Sequence, residues 1–152
     1  MRWIDCLPHQ PPMRLLEEVV DVVAGERATG RRVAHAADFY FQGHFPGQPV
    51  VPAIILIEML AQAGGIAAAA SAAGETAGTW PQLRVAAVGP FKFPAAATAG
   101  ALLEAQARVA GRLGGMFKIE GEVTADGIVV ATGGLTLAGE REMAAGSARN
   151  HI

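Results

Sequence analysis

Two ionisable residues stand in otherwise apolar surroundings and are the strongest candidates for chemistry. His44 lies in a stretch rich in glycine and proline, and Glu58 lies fourteen positions later in the apolar run 55–62. An unpaired carboxylate is costly to bury, so we expect Glu58 to hold a proton more readily than a free glutamate does. A protonated carboxyl group is a general acid, and a neutral imidazole is a general base. The pair therefore predicts acid–base catalysis.

The residues that follow His44 predict a site for a developing negative charge. Pro52 suits the first turn of a helix, and the backbone N–H groups of Ala53 and Ile54 would then lack intrahelical acceptors. These groups also carry the positive end of the helix dipole, so they suit an oxyanion on a carbonyl. A base, an acid and an oxyanion site fit proton abstraction next to a carbonyl with loss of a β-hydroxyl, although this deduction is not unique.

The elements that position these residues can be predicted from composition and periodicity. Residues 37–52 hold too many glycines and prolines for regular structure, whereas the alanine-rich stretch Ala53–Ala73 favours a helix. The remaining stretches predict strands over 15–23 and 28–34, a buried strand over 83–88, a strand over 102–109, and a hairpin of 117–125 with 128–137. The turn of that hairpin is Asp126-Gly127.

Two strands, one helix and about four further strands indicate an α+β fold. A long apolar helix must be covered nearly all round, which a curved antiparallel sheet wrapped around one long central helix achieves. The run 50–73 is also long enough to span a bilayer, but Pro52, Glu58 and Gln62 within it disfavour a membrane span. We predict one domain over 1–138 and a polar C-terminal tail over 139–152.

Composition narrows the functional class. Of 152 residues, 51% are hydrophobic and 17% are charged, which suggests that a second subunit covers part of the apolar surface. The net charge of −2 disfavours nucleic-acid binding. Cys6 is the only cysteine, and no apolar signal segment precedes the early acid and proline, so we predict a cytoplasmic protein. No second Cys/His pair accompanies Cys6 and His9, so no metal is predicted.

Two motifs carry a family resemblance. Residues 42–53, QGHFPGQPVVPA, and residues 57–64, IEMLAQAG, closely resemble the central motif of bacterial 3-hydroxyacyl-[acyl-carrier-protein] dehydratases. The similarity continues in LPHQPPM at 7–13, FKFP at 91–94 and DGIV at 126–129, and it spans about residues 5–138. A match of this length is far more specific than a three-residue motif.

The resemblance implies a hot-dog fold and a hydro-lyase activity. The family converts (3R)-3-hydroxyacyl thioesters to trans-2-enoyl thioesters, in fatty-acid or polyketide and polyene biosynthesis, without a cofactor. It assigns removal of the α-proton to His44, protonation of the departing hydroxyl to Glu58, and binding of the thioester carbonyl to the amide of Ala53. It also implies homodimers in which His44 faces Glu58 of the other subunit, and trimers of such dimers.

The resemblance also places substrate-binding positions. Gly47, Pro52, Ala53 and Ile54 would contact the substrate, and Gln62, one helical turn after Glu58, would orient the acid. Ala53 stands where the family usually has glycine. The substrate carrier would be acyl carrier protein or coenzyme A. Two alternatives remain open: a hot-dog acyl thioesterase, and a non-catalytic subunit that binds acyl carrier protein.

Overall fold

The architecture is one six-stranded antiparallel sheet packed around one helix. The computed structural model describes residues 2–44, 47–73 and 82–139. The strands are β1 (Glu18–Val23), β2 (Arg27–Val33), β3 (Leu83–Lys92), β4 (Leu102–Leu113), β5 (Met116–Ala125) and β6 (Ile128–Gly139), and the helix is α1 (Ala53–Ala73). The strand order is β1-β2-β4-β5-β6-β3, and α1 contacts all six strands. This arrangement confirms the predicted α+β class.

Helix α1 forms the centre of the core, and its bounds agree with the prediction. Met59, Leu60 and Ile66 are almost completely buried beneath the sheet, and the small alanines between them let strands approach closely. By length and composition the window Ala53–Ala70 would also suffice to cross a membrane, but 72% of it is buried inside the protein. Burial by the sheet therefore accounts for the apolar character of the helix.

The β5–β6 hairpin follows the predicted alternation. Ile119 and Val123 on β5 are fully buried. Lys118, which precedes Ile119 and points to the opposite face of the sheet, is exposed. Asp126 and Gly127 both have positive φ, 49° and 84°, which suits a two-residue turn between twisted strands. A period of two along one half-buried strand was sufficient to predict this part of the sheet.

Strand β3 differs from the prediction of a buried strand over 83–88. It is longer, Leu83–Lys92, and it lies at the edge of the sheet, where it pairs with β6. Most of its residues are exposed, among them Val85 and Val88, the latter at 52%. Its apolar composition predicted burial, but within the described residues no strand of the same chain covers its other edge.

Other boundaries shift by a few residues. Leu15 and Leu16 are buried but precede β1, and β4 continues beyond the predicted 102–109 to a turn at Gly114. Gly139 ends β6, so it belongs to the sheet. The rest of the predicted tail, 140–152, lies outside the described residues, and its separation from the domain stays a prediction.

Candidate active site

The loop that carries His44 is anchored by a polar cluster. Asp38 accepts hydrogen bonds from the guanidinium of Arg32 and from the hydroxyl of Tyr40, the latter at 2.7 Å. Burial alone would raise the pKa of the Asp38 carboxyl, but the hydrogen bonds from Arg32 and Tyr40 outweigh it and lower that pKa. Burial, together with Asp38, raises the pKa of the Tyr40 hydroxyl, which keeps it a donor. The cluster fixes the short 3₁₀ helix Phe39–Phe41 immediately before His44.

The ring of His44 is held in one tautomer. Its Nδ1 lies 2.9 Å from the carbonyl oxygen of Val50. A carbonyl oxygen only accepts, so the ring hydrogen of a neutral His44 resides on Nδ1, and Nε2 is the nitrogen that can accept a proton. This is the protonation pattern that a general base requires.

Backbone pairing fixes the segment that holds this ring. Val50 forms an isolated antiparallel bridge with Thr98, and the N–H of Val51 donates to the carbonyl of Ala97 at 2.8 Å. Gly47, between His44 and this bridge, has φ of 92°, a conformation that other residues rarely adopt. The orientation of His44 is thus set by main-chain contacts to a neighbouring loop.

The start of α1 presents backbone donors near this loop. The carbonyl of Pro52 accepts the N–H groups of Ile55 and Leu56, at 2.9 and 3.4 Å. The amides of Ala53 and Ile54 have no acceptor among residues 2–44, 47–73 and 82–139. The side chain of Ile54 is 72% exposed. The predicted oxyanion donors are therefore accessible at the positive end of the helix dipole.

Glu58 lies one helical turn after Ile54, on the same face of α1. Its side chain is 27% exposed, so it is less enclosed in this chain than its apolar sequence neighbours suggested. Those neighbours, Ile55, Leu56 and Met59, point into the core instead. The carboxylate faces the side of the helix that the chain's own sheet leaves partly open.

Gln62 contacts Glu58 as the spacing of four residues predicted. Its Nε2 donates to Oε1 of Glu58 at 3.2 Å and to the carbonyl of Met13 at 2.8 Å, while its Oε1 accepts the N–H of Leu15 at 3.0 Å. The side chain is 2% exposed. Gln62 thus ties the segment before β1 to the helix, and its amide orientation is fixed.

His9 also contacts Glu58, although the sequence presented it only as half of a rejected metal site. Its Nε2 lies 3.4 Å from Oε1 of Glu58, the same oxygen that Gln62 contacts. Its Nδ1 is buried and has no hydrogen-bond partner among the described residues. No local spacing signals this contact, since 49 positions separate His9 from Glu58; only the resemblance of residues 7–13 to the family marked the segment.

The comparison with known proteins identifies the family. The model of the FabA-like domain matches residues 7–134. The chain belongs to the FabA-like dehydratase family. It is 33% identical over 132 residues to the 3-hydroxyacyl-[acyl-carrier-protein] dehydratase FabZ of Herpetosiphon aurantiacus, covering 87% of this chain and 91% of that protein. It is 34% identical over 125 residues to the FabZ of Syntrophotalea carbinolica, covering 82% and 83%.

The similarity is strongest over a shorter part of the chain. The FabZ of Moorella thermoacetica is 48% identical over 61 residues, which are 40% of this chain and 43% of that protein. Among solved structures, the dehydratase heterocomplex ApeI:P of Xenorhabdus doucetiae has a similar chain, with a TM-score of 0.78 at 22% identity and 91% coverage of both chains. This structural similarity confirms the hot-dog fold of this FabA-like chain.

The predicted residues of this FabA-like protein fall into two groups. His44 and Gly47 belong to the loop that is bridged to residues 97–99, and it leads directly into Pro52, Ala53 and Ile54. Glu58 and Gln62 lie on α1, and His9 contacts Glu58 from the segment before β1. Among the described residues, no three His, Cys, Asp or Glu side chains converge on a point where they could hold a metal ion. The arrangement offers a base, a carboxyl group and backbone donors for acid–base chemistry.

Proposed function

We propose that this chain dehydrates (3R)-3-hydroxyacyl thioesters of acyl carrier protein to trans-2-enoyl thioesters, with His44 as base and Glu58 as acid. The observation that carries the proposal is the hydrogen bond from Nδ1 of His44 to the carbonyl of Val50. It leaves Nε2 as the proton acceptor in a chain whose relatives are named as dehydratases of 3-hydroxyacyl-[acyl-carrier-protein]. No cofactor is needed for this chemistry.

The proposed reaction uses both groups in one elimination. Nε2 of His44 removes a proton from C2, next to the thioester carbonyl, and the electron pair forms the C2–C3 double bond. The C3–O bond breaks, Glu58 transfers its proton to the departing hydroxyl, and water leaves. The amide of Ala53 donates to the thioester oxygen as negative charge develops there. Proton transfer through solvent from His44 to Glu58 restores the starting state.

The substrate would approach along the open face at the start of α1. Ile54 offers an exposed apolar side chain there, and Pro52 begins the same turn. Gly47 has no side chain to obstruct an acyl thioester that approaches the loop. Ala53 adds one methyl group at the position of the proposed oxyanion donor, which narrows this approach without removing the N–H. These features support binding of an acyl thioester between the loop and the helix.

We further propose a homodimer in which His44 of one protomer faces Glu58 of its partner. Strand β3 supports this: it is an edge strand with exposed apolar residues, Val85 and Val88, and such edges are normally paired or protected. A second copy that pairs along β3 would cover them. The family resemblance supports trimers of these dimers and a role in fatty-acid or polyketide and polyene biosynthesis, and the single cysteine, Cys6, supports a cytoplasmic location.

An assay series tests the catalytic proposal. The wild-type protein receives 3-hydroxyacyl chains of several lengths on carrier protein and on coenzyme A, and enoyl absorbance and free thiol are followed together. We expect enoyl formation, and a loss of about 10²–10⁴-fold in Glu58→Gln and in His44→Ala. Circular dichroism verifies that both variants fold. Full activity in either variant would contradict the assignment.

Two other outcomes of the assay would indicate a different function for this chain. Thiol release without enoyl absorbance would indicate a thioesterase. Binding of acylated carrier without turnover would indicate a non-catalytic binding subunit. Comparison of carrier protein with coenzyme A as the acyl donor also shows which carrier the site accepts.

A further inference from the structure

The imidazole of His9 contacts Glu58 but has no role in the proposed elimination. Its Nε2 lies 3.4 Å from Oε1 of Glu58, and the two side chains are 28% and 27% exposed. The same Oε1 receives the hydrogen bond from Gln62 at 3.2 Å. Two nitrogen atoms therefore approach one oxygen of the carboxyl group.

The donor role of Gln62 in this cluster is fixed. Its amide nitrogen already donates to the carbonyl of Met13, and its amide oxygen already accepts the N–H of Leu15. A flipped amide would lose both bonds and would turn an oxygen toward Glu58. Oε1 of Glu58 is therefore held as an acceptor of the Gln62 N–H.

The burial of His9 favours one tautomer of its ring. Nδ1 is buried without a partner among the described residues. A hydrogen on Nδ1 would be a buried unpaired donor, and the lone pair of Nε2 would then face Oε1 of Glu58. With the hydrogen on Nε2, the donor is on the nitrogen that lies 3.4 Å from Oε1, and only an acceptor is left buried and unpaired, which folded proteins tolerate better.

The separation of 3.4 Å is longer than a charge-assisted hydrogen bond, which measures about 2.7–2.9 Å. Hydrogen bonds of catalytic groups are often long before substrate binds and shorten in the reacting complex. The contact between His9 and Glu58 suits this behaviour, because both side chains are only partly enclosed.

We propose that His9 is a positioning residue for the acid, an inference that rests on the proposed role of Glu58. Together with Gln62, the Nε2–H of His9 occupies Oε1, so the transferable proton resides on Oε2. In the elimination the Oε2–H bond breaks, the hydroxyl oxygen gains the proton, the C3–O bond breaks, and water leaves. The negative charge that remains on Glu58 is then stabilised by both donors.

Kinetics of three variants test this role. His9→Leu removes the donor, whereas His9→Gln keeps an amide N–H at about the reach of Nε2. We expect His9→Leu to lower kcat about 10- to 100-fold at unchanged KM, because this factor is the rate equivalent of one hydrogen bond to a charged group. His9→Gln should recover most of the lost kcat. His35→Leu is the matched control, because Nε2 of His35 also contacts a glutamate, Glu17 at 3.0 Å, on the surface. It should leave kcat unchanged.

A double-variant comparison separates positioning from a general structural effect. In the Glu58→Gln background, His9→Leu should cause no further loss of kcat, because its effect passes through the acid. Thermal unfolding verifies that each variant is folded. Unchanged kcat in His9→Leu, no recovery in His9→Gln, or a full additional loss in the double variant would overturn the proposal.

Nitrogen-15 NMR of the histidine-labelled protein tests the contact without turnover. Recorded at a pH where the imidazole is neutral, the resonances that His9→Leu removes should report hydrogen on Nε2, and Glu58→Gln should shift them while those of His35 stay in place. A ring with hydrogen on Nδ1, or resonances indifferent to Glu58→Gln, would overturn the inference. If the wild-type protein lacks dehydratase activity, the proposed function fails, and this spectrum still decides whether His9 donates to Glu58.

Discussion

Nε2 of Gln62 donates a hydrogen bond to Oε1 of Glu58, one turn before it on α1, at 3.2 Å. The same side chain holds the N–H of Leu15 and the carbonyl of Met13, both in the segment before β1. The carboxyl group is therefore oriented by a residue whose own position depends on two distant backbone groups. The Gln62 amide thus joins a contact within the helix to contacts with a segment that is distant in sequence.

We expect Gln62→Leu to destabilise the protein by about 2–4 kcal/mol, because it leaves the Leu15 N–H buried without a partner and removes the bond to the partly buried Met13 carbonyl. Urea unfolding followed by circular dichroism measures this loss. The control is Gln106→Leu, since Gln106 is an exposed glutamine on β4 and should change the free energy of unfolding very little. Equal effects of the two substitutions would contradict the structural role of Gln62.

Asp38→Asn should reduce stability at neutral pH by about 1–3 kcal/mol, because it weakens the hydrogen bonds from Arg32 and Tyr40 to a charged group. These bonds lower the pKa of Asp38 in the folded state, despite burial. Such a group contributes stability above its unfolded-state pKa of about 3.9, and loses it as pH falls through the lower folded-state pKa.

The difference between wild type and Asp38→Asn should therefore be full at neutral pH and shrink below about pH 4. Free energies of unfolding measured across this range test the sign. Asp5→Asn is the comparison, because the Arg2–Asp5 pair lies on the surface and contributes little. A difference that grows as the solution becomes more acidic would be inconsistent with a lowered pKa.

The sequence predicts helix and hairpin well because both depend on local periodicity. The alanine-rich stretch predicts Ala53–Ala73, and the alternation around Ile119 predicts β5. Strand β3 was predicted as buried because its residues are apolar, but composition does not say whether the same chain or another copy covers an edge. Burial of an edge strand is a property of the whole assembly.

Sequence spacing predicts contacts between neighbours along a helix, but it does not predict contacts between distant segments. The Gln62–Glu58 pair follows from helical geometry, whereas His9 reaches Glu58 only because the segment before β1 packs against α1. Apolar residues adjacent to Glu58 in sequence, such as Ile55 and Met59, do not report its exposure within one chain, because they point to other sides of the helix.

Val88→Glu should disrupt the proposed dimer and lower turnover with it. Val88 is 52% exposed on edge strand β3, and a carboxylate there would be buried against a second copy. Light scattering after size exclusion, combined with the enoyl assay, measures both effects. Leu113→Glu is the control, since Leu113 is 83% exposed at the end of β4. An active dimer of Val88→Glu would place the interface elsewhere.

Two adjacent glycines of α1 should respond in opposite ways to alanine. A Cβ at Gly64 would lie 2.6 Å from Cγ2 of Ile119, a fully buried side chain on β5, so Gly64→Ala should cost about 1–3 kcal/mol by overpacking. A Cβ at Gly65 would meet its nearest neighbour, Cδ1 of Leu137, at 4.0 Å. Gly65→Ala should therefore gain up to about 1 kcal/mol, because alanine loses less backbone entropy in a helix.

Urea unfolding of the two variants provides the measurement, and each serves as the other's control because helix propensity changes equally in both. The opposite signs follow from the close approach of Ile119 to Gly64, which Gly65 does not share. Ile119→Val in the Gly64→Ala background should recover part of the loss, since Cδ1 of Ile119 lies 3.2 Å from the added Cβ. Stabilisation by both alanines would show that α1 can move away from the sheet, and with it Glu58 and Gln62.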